Sequence, residues 1–148
     1  MVIYSDKMES KFLFSFQFSV KDSELYFDYE NKAIRISWDG RVDEETATGL
    51  IQYAMDLIEG KAVNRILFDR RKLIHFSDPA RAWFHNEVDR GRWRQLKDAI
   101  ERIAIVNELS VAAQLFGHHN NDHITDAYAG IPYQHFDKMP AAEEWLLH

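Results

Sequence analysis

The stretch Arg65-Ile66-Leu67-Phe68-Asp69, followed by Arg70-Arg71-Lys72-Leu73-Ile74-His75-Phe76 and Ser77-Asp78-Pro79-Ala80, decides the fold. Ile66 to Phe68 form an uninterrupted apolar run, the pattern of a strand buried on both faces. Asp69 closes the run, the basic residues Arg70, Arg71 and Lys72 read as a short loop, and a helix opens at Ser77-Asp78-Pro79. Proline suits a first helical turn, where its missing N–H removes no helical bond. In open α/β folds, ligands and regulatory groups gather where a strand's carboxyl end hands over to a helix N-terminus, because unpaired N–H groups face outward there. Asp69, Ser77 and Asp78 are therefore the candidate regulatory residues.

Upstream, Phe12, Phe14, Phe16, Phe18 and Val20 alternate with Leu13, Ser15, Gln17 and Ser19, a strand with a period of two. Leu25, Phe27 and Tyr29 alternate again, Glu30-Asn31-Lys32 turns the chain, and Ile34, Ile36 and Trp38 lead to Gly40. Two such runs around a polar turn read as an antiparallel hairpin. The period then changes. Asp43 caps a helix with Glu44 and Glu45 in its first turn; Ala47, Leu50, Ile51, Ala54 and Ile58 share one face, and Gly60 occupies the place of a C-terminal glycine.

Downstream, Ala80, Trp83, Phe84 and Val88 form the inward stripe of the helix after Pro79, and Gly91 ends or bends it. Trp93, Leu96 and Ile100 suggest a second short helical piece. Arg102–Val106 is another apolar strand, Ser110 opens a helix through Phe116, and Ile124, Ala127 and Tyr128 add a turn or two. Tyr133–Phe136 reads as a last short strand, with Asp137 capping a terminal helix through Leu147. Strands alternating with helices predict an α/β sandwich whose later strands run parallel.

The chain has 148 residues, 46% of them hydrophobic and 14% aromatic, enough for one domain with a packed core. Its 18 basic and 24 acidic side chains give a formal charge of −6, which disfavours nucleic acid and anionic membranes in general. There is no cysteine, hence no disulfide or thiolate chemistry, which suits a reducing cytoplasm. No apolar run approaches the roughly twenty residues a spanning helix needs. Lys11–Val20 is interrupted by Ser15, Gln17 and Ser19 and reads as a strand, not a signal segment.

Ile34–Gly40 before the first helix, Ile66–Asp69, Glu101–Val106, and Phe136-Asp137 leading into Ala142–Leu146 occur in a particular order and spacing. On these motifs the chain, from Leu25 onward, resembles the SpoIIAA-like (STAS-related) family of small bacterial proteins. The resemblance implies a mixed sheet flanked by helices, with roles in binding partners or apolar ligands instead of catalysis. In the anti-sigma-factor antagonists of the wider group, a serine at the N-terminus of the helix after this junction is phosphorylated. That position falls on Asp78, with Ser77 one residue earlier, and the Asp-Ser-Ser-Gly-like pattern is absent. A phosphate on Ser77 would stand beside the Asp78 carboxylate, so the resemblance does not carry the phosphoserine switch across.

Other candidates have plainer readings beside the functional ones. Ser77 and Asp78 read first as helix caps worth about 1 kcal/mol. Arg70, Arg71, Lys72 and Arg81 form a possible anion or partner patch, although neighbouring acids make an ordinary solvated face the favoured account. His118, His119, Asp122 and His123 include an i, i+4 histidine pair able to hold zinc. Gly117 and Asn120-Asn121 favour a solvent-facing loop there, and no metal is assigned. Trp83, Phe84 and Trp93 either fill the core or line an apolar pocket, and Phe12–Phe18 is a candidate dimer surface.

These residues predict one α/β domain over 1–148: an extra N-terminal strand in 1–24 and a core in 25–148, with a mixed β-sheet flanked by α-helices and an N-terminal antiparallel hairpin. The expected function is a non-enzymatic regulatory or protein-interaction module, cytoplasmic and homodimeric, with no cofactor and no catalytic residue. The alternative is a carrier or sensor of a small apolar or lipid-like ligand.

Overall fold

A computed structural model of the chain describes residues 16–107 and 128–148. Strands β1 (Phe16–Val20), β2 (Ser23–Asp28) and β3 (Ala33–Val42) form an antiparallel meander. β4 (Arg65–Phe76), β5 (Arg102–Val106) and β6 (Tyr133–Phe136) continue the sheet from β3 in parallel. Spatial order follows chain order from β1 to β6. The helices are α1 (Glu44–Glu59), α2 (Asp78–Arg90), α3 (Arg92–Leu96) and α4 (Met139–Leu147). The mixed sheet, its flanking helices and the antiparallel start agree with the sequence reading. The Phe12 and Phe14 positions and the helix expected over Ser110–Phe116 lie outside the described residues.

Strand register explains why Ile66, Leu67 and Phe68 are all apolar. Leu25, Ile36, Phe68 and Ile105 line up across four neighbouring strands. With Ile34, Ile66 and Ile103 they form the face that packs against Leu50, Ile51, Val88 and Trp93 of α1, α2 and α3. Leu67 points the other way, joining Ala33, Ala104 and Val106 beneath Met139, Ala142 and Leu146 of α4. Each large side chain buried this way contributes about 1.5–3 kcal/mol. Among the described residues no helix is long and apolar enough to cross a membrane.

Asp43 caps α1, its carboxylate accepting from the Thr46 amide at 2.9 Å. Gly60 does not take the left-handed conformation expected of it: its φ is −77°, and Lys61 makes that turn at φ 64°. Asp137 is not the cap of α4 either, since Lys138 holds that position without a side-chain bond and Pro140 fills the first turn. The far end of α4 is held by cations. Arg65 Nη1 donates to the Leu147 carbonyl at 2.9 Å and Arg102 Nη1 to the Trp145 carbonyl at 2.7 Å. Both satisfy carbonyls that the helix leaves orphaned and complement its negative end.

The main correction concerns β4. It runs twelve residues to Phe76, so Arg70, Arg71 and Lys72 are strand and not loop. Ser37 pairs with Asp69 and Asp39 with Lys72, so two steps along β3 match three along β4 and a bulge absorbs the extra residue. The last rung to β5 joins Asp69 to Val106. Beyond it, β4 continues as a two-stranded ribbon with β3, where charged side chains are tolerated because the ribbon's faces are only partly covered.

Gly91 joins α2 to α3, and Glu87 Oε1 reaches across it to accept from the amides of Arg92 at 3.0 Å and Trp93 at 3.3 Å. A Cβ at Gly91 would lie 2.8 Å from Glu87 Cα, a backbone atom that cannot simply rotate away. Gly91→Ala is expected to lower the unfolding free energy by about 1–3 kcal/mol through this clash. Urea denaturation followed by far-UV circular dichroism measures it, and an unchanged midpoint would show that the helix junction is not as tight as described.

Candidate functional site

Two concavities flank the β3–β4 ribbon, one on each side. The first, a cavity of about 130 Å³, lies between the sheet and helices α1 and α2. Trp38 comes from β3; Phe68, Arg70 and Phe76 from β4; Ala47 and Ile51 from α1. Ala80, Arg81, Phe84 and His85 come from α2, and Tyr128 completes the lining. Trp38 meets Phe76 edge-on with ring centroids 5.2 Å apart, and Phe68 stacks on Tyr128 at 5.9 Å. Ala47 and Ala80 are buried and carry nothing beyond Cβ, so the space between the rings stays open beside them.

Of the three aromatic residues expected around a pocket, only Phe84 is part of this lining. Trp93 is fully buried in the core, edge-on to Phe84 at 5.2 Å, and Trp83 packs half-buried against that core. Trp38, Phe76 and Tyr128 were not anticipated. The alternation of β3 already placed Trp38 on the face of Ile34 and Ile36. Phe76 was hidden by the mistaken loop.

The basic run does not form one patch, because the pleat of β4 sends its members to different sides. Arg70 enters the cavity wall. Its Nε is buried and, among the described residues, has no hydrogen-bond partner. Arg71 lies on the opposite face, where its Nε and Nη2 each approach an oxygen of Asp69 at 2.9 Å while its amide donates to Asp69 Oδ1 at 3.1 Å. Lys72 is exposed nearby. Arg81 belongs to α2 and pairs with the neighbouring Asp78.

The second concavity, about 140 Å³, is polar and lies on Asp69's side, with Glu24, Tyr26, Arg35, Ser37 and Arg71 among its walls. The Arg35 guanidinium lies 4.8 Å from the centre of the Tyr26 ring. Burial, reinforced by the hydrogen bond to Glu24, pushes the Tyr26 hydroxyl up to about 12. Burial also opposes ionisation of Asp69, but the Arg71 fork and amide outweigh it and hold the carboxyl below its ordinary value.

At the strand-to-helix junction, Ser77 is the N-cap of α2, its Oγ accepting from the Ala80 amide at 3.1 Å. Asp78 stands exposed in the first turn, placed well against the positive helix end. Asp69 is therefore separated from Ser77 and Asp78: it ends the sheet's central rungs, whereas they end the ribbon. His118, His119, Asp122 and His123 lie outside the described residues. Among the described residues no three metal-binding side chains converge.

This architecture is a SpoIIAA-like fold. The chain is similar to an uncharacterized protein from the DUF3478 family with a SpoIIAA-like fold from Shewanella loihica PV-4, at a TM-score of 0.53 and 16% identity over 88% of this chain and 90% of that one. It is also similar to the anti-sigma factor antagonist SpoIIAA in its unphosphorylated form, at a TM-score of 0.50 and 15% identity over 78% of this chain and 90% of that one. No protein-family model matches the chain, and no curated protein does at the sequence level.

Asp69→Asn is expected to destabilise the protein at neutral pH by about 1–2 kcal/mol, because the half-exposed Arg71 loses its charged acceptor. The Asp69 carboxyl is depressed in the folded state, so its contribution is complete above about pH 4 and disappears as pH falls through the lower folded value. The stability gap between wild type and variant should therefore narrow on acidification. Urea titrations at a series of pH values test this, and a constant gap would contradict the ion pair.

Proposed function

We propose that this chain is a non-enzymatic regulatory module of the SpoIIAA-like type, binding a protein partner through the exposed first turn of α2. The supporting observation is the junction itself: Ser77 is occupied as the cap, while the Asp78–Arg81 pair faces solvent at the helix's positive end. A phosphate on Ser77 would lose the cap and meet the Asp78 carboxylate, so the surface is read as permanently set rather than switched by phosphoserine. The likeness to an anti-sigma factor antagonist supports a regulatory reading. The same reading takes the chain to be cytoplasmic, free of nucleic acid and homodimeric. Phe16, 42% exposed on the first strand of the sheet, favours self-association along that edge.

A photoreactive amino acid placed at Asp78 should cross-link one defined protein in the native cell, and one placed at Glu24 on the opposite face should not. Arg81→Glu should weaken the Asp78 cross-link without changing thermal stability. Equal cross-linking from both positions, or none from Asp78, would remove the partner surface from this turn. Sedimentation velocity tests the dimer, which a single monomer peak at tens of micromolar protein would exclude.

The cavity favours a second reading, a sensor of a small apolar ligand. Ala80, Arg81 and Phe84 line it from the same helix whose first turn forms the proposed partner surface, so an occupant would press directly on that helix.

A further inference from the structure

We propose that the cavity between the sheet and α2 binds a small organic carboxylate, with a benzene-sized apolar body among the rings and its carboxylate on Arg70. The proposal rests on the ligand-sensor reading and gives that ligand its chemical class.

Size sets the first limit. An apolar cavity of roughly 150 Å³ stays dry and accommodates benzene. The present one, at about 130 Å³, admits a body of that order. The rings of Trp38, Phe68, Phe76 and Phe84 supply apolar and π surface around it, which suits a planar or compact hydrocarbon body.

Charge sets the second. Among the described residues, Arg70 is the arginine in this wall without a countercharge: Arg81 is matched by Asp78, and Arg71, the neighbour in sequence, is turned to Asp69 on the other face. Among the described residues no carboxylate pairs with Arg70, and its buried Nε has no acceptor. A buried donor on a charged group is costly to leave unmatched, whereas a guanidinium fork accepts a carboxylate through two parallel bonds. A single fork fits a monoanion. A phosphate dianion would call for further cations, and the cavity wall holds no second unmatched arginine or lysine among its described residues. Arg70 already acts electrostatically on Tyr128 across the wall, drawing down a hydroxyl that burial has pushed up to about 12.

The test compares benzoate and phenylacetate with their neutral counterparts toluene and benzyl alcohol, using quenching of tryptophan fluorescence and saturation-transfer NMR on the full chain. The carboxylates should bind at least about tenfold more tightly than the neutral analogues, the expected gain from a charge-assisted hydrogen bond. Arg70→Gln should erase that preference while leaving the circular dichroism spectrum intact, and Arg70→Lys should retain only part of it. Toluene or benzyl alcohol binding as tightly as benzoate would overturn the proposal and leave a plain apolar pocket. No binding by either class would overturn the ligand-sensor reading with it. The wild-type comparison decides between these outcomes even where a variant fails to fold.

Discussion

The parallel pairing of β3 with β4 is the constraint on which the rest of the molecule depends. It runs from Ala33 opposite Arg65 to Val42 opposite Phe76 and outlasts the pairing of β4 with β5, which ends at Asp69 and Val106. Within it, two extra residues of β4 are absorbed, one between Asp69 and Lys72 and one between Leu73 and His75. A change of one residue in strand register moves every following side chain to the opposite face. The pleat puts Arg70 on the face of Phe68 and Arg71 on that of Asp69, and the shifts decide where the residues after them turn. The second shift, between Leu73 and His75, lets Leu73 and Phe76 both turn toward the core they help to cover.

The two faces handle charge differently. On Asp69's side the sheet is uncovered next to β1 and β2, and the buried Asp69 is matched locally: Arg71 and Ser37 approach it, while Arg35 lies over Tyr26. On the cavity side, α1 and α2 cover the sheet and most neighbours are apolar, so an arginine there has few acceptors to choose from. Further along the sheet, α4 covers the same side as Asp69 with Met139, Ala142 and Leu146. That side is thus a dry platform at one end and a polar depression at the other.

Much of the fold was legible because period and burial agree in this chain. The alternation from Phe16 to Trp38 gave the antiparallel start, and the unbroken Ile66–Phe68 run announced a strand covered on both faces. Capping chemistry placed Asp43 correctly and left Ser77 and Asp78 as alternatives, of which Ser77 is the cap. What failed was the end of β4. Arg70 to Lys72 interrupt the apolar pattern, and a polar triplet after a buried strand has the signature of a loop. Pairing with β3 on one side is a tertiary choice that such a local signal does not contain. The cavity was harder still, since its walls come from β3, β4, α1, α2 and Tyr128, and its volume depends on two alanines that look unremarkable in any one helix. The positive-φ turn at Lys61 was missed because glycine, one residue earlier, was the obvious candidate.

Sheet order that follows chain order also bears on how the protein is made. Each strand, as it leaves the ribosome, adds to the edge of a sheet already begun, and no earlier strand must be displaced to admit it. One surface is left unprotected throughout. Among the described residues, Leu67, Ala104 and Val106 are covered chiefly by α4, and Arg65 and Arg102 meet the carbonyls at its far end only once it has docked. Until that helix docks, the sheet carries an exposed apolar strip, the kind of surface that makes a partly folded chain prone to aggregate.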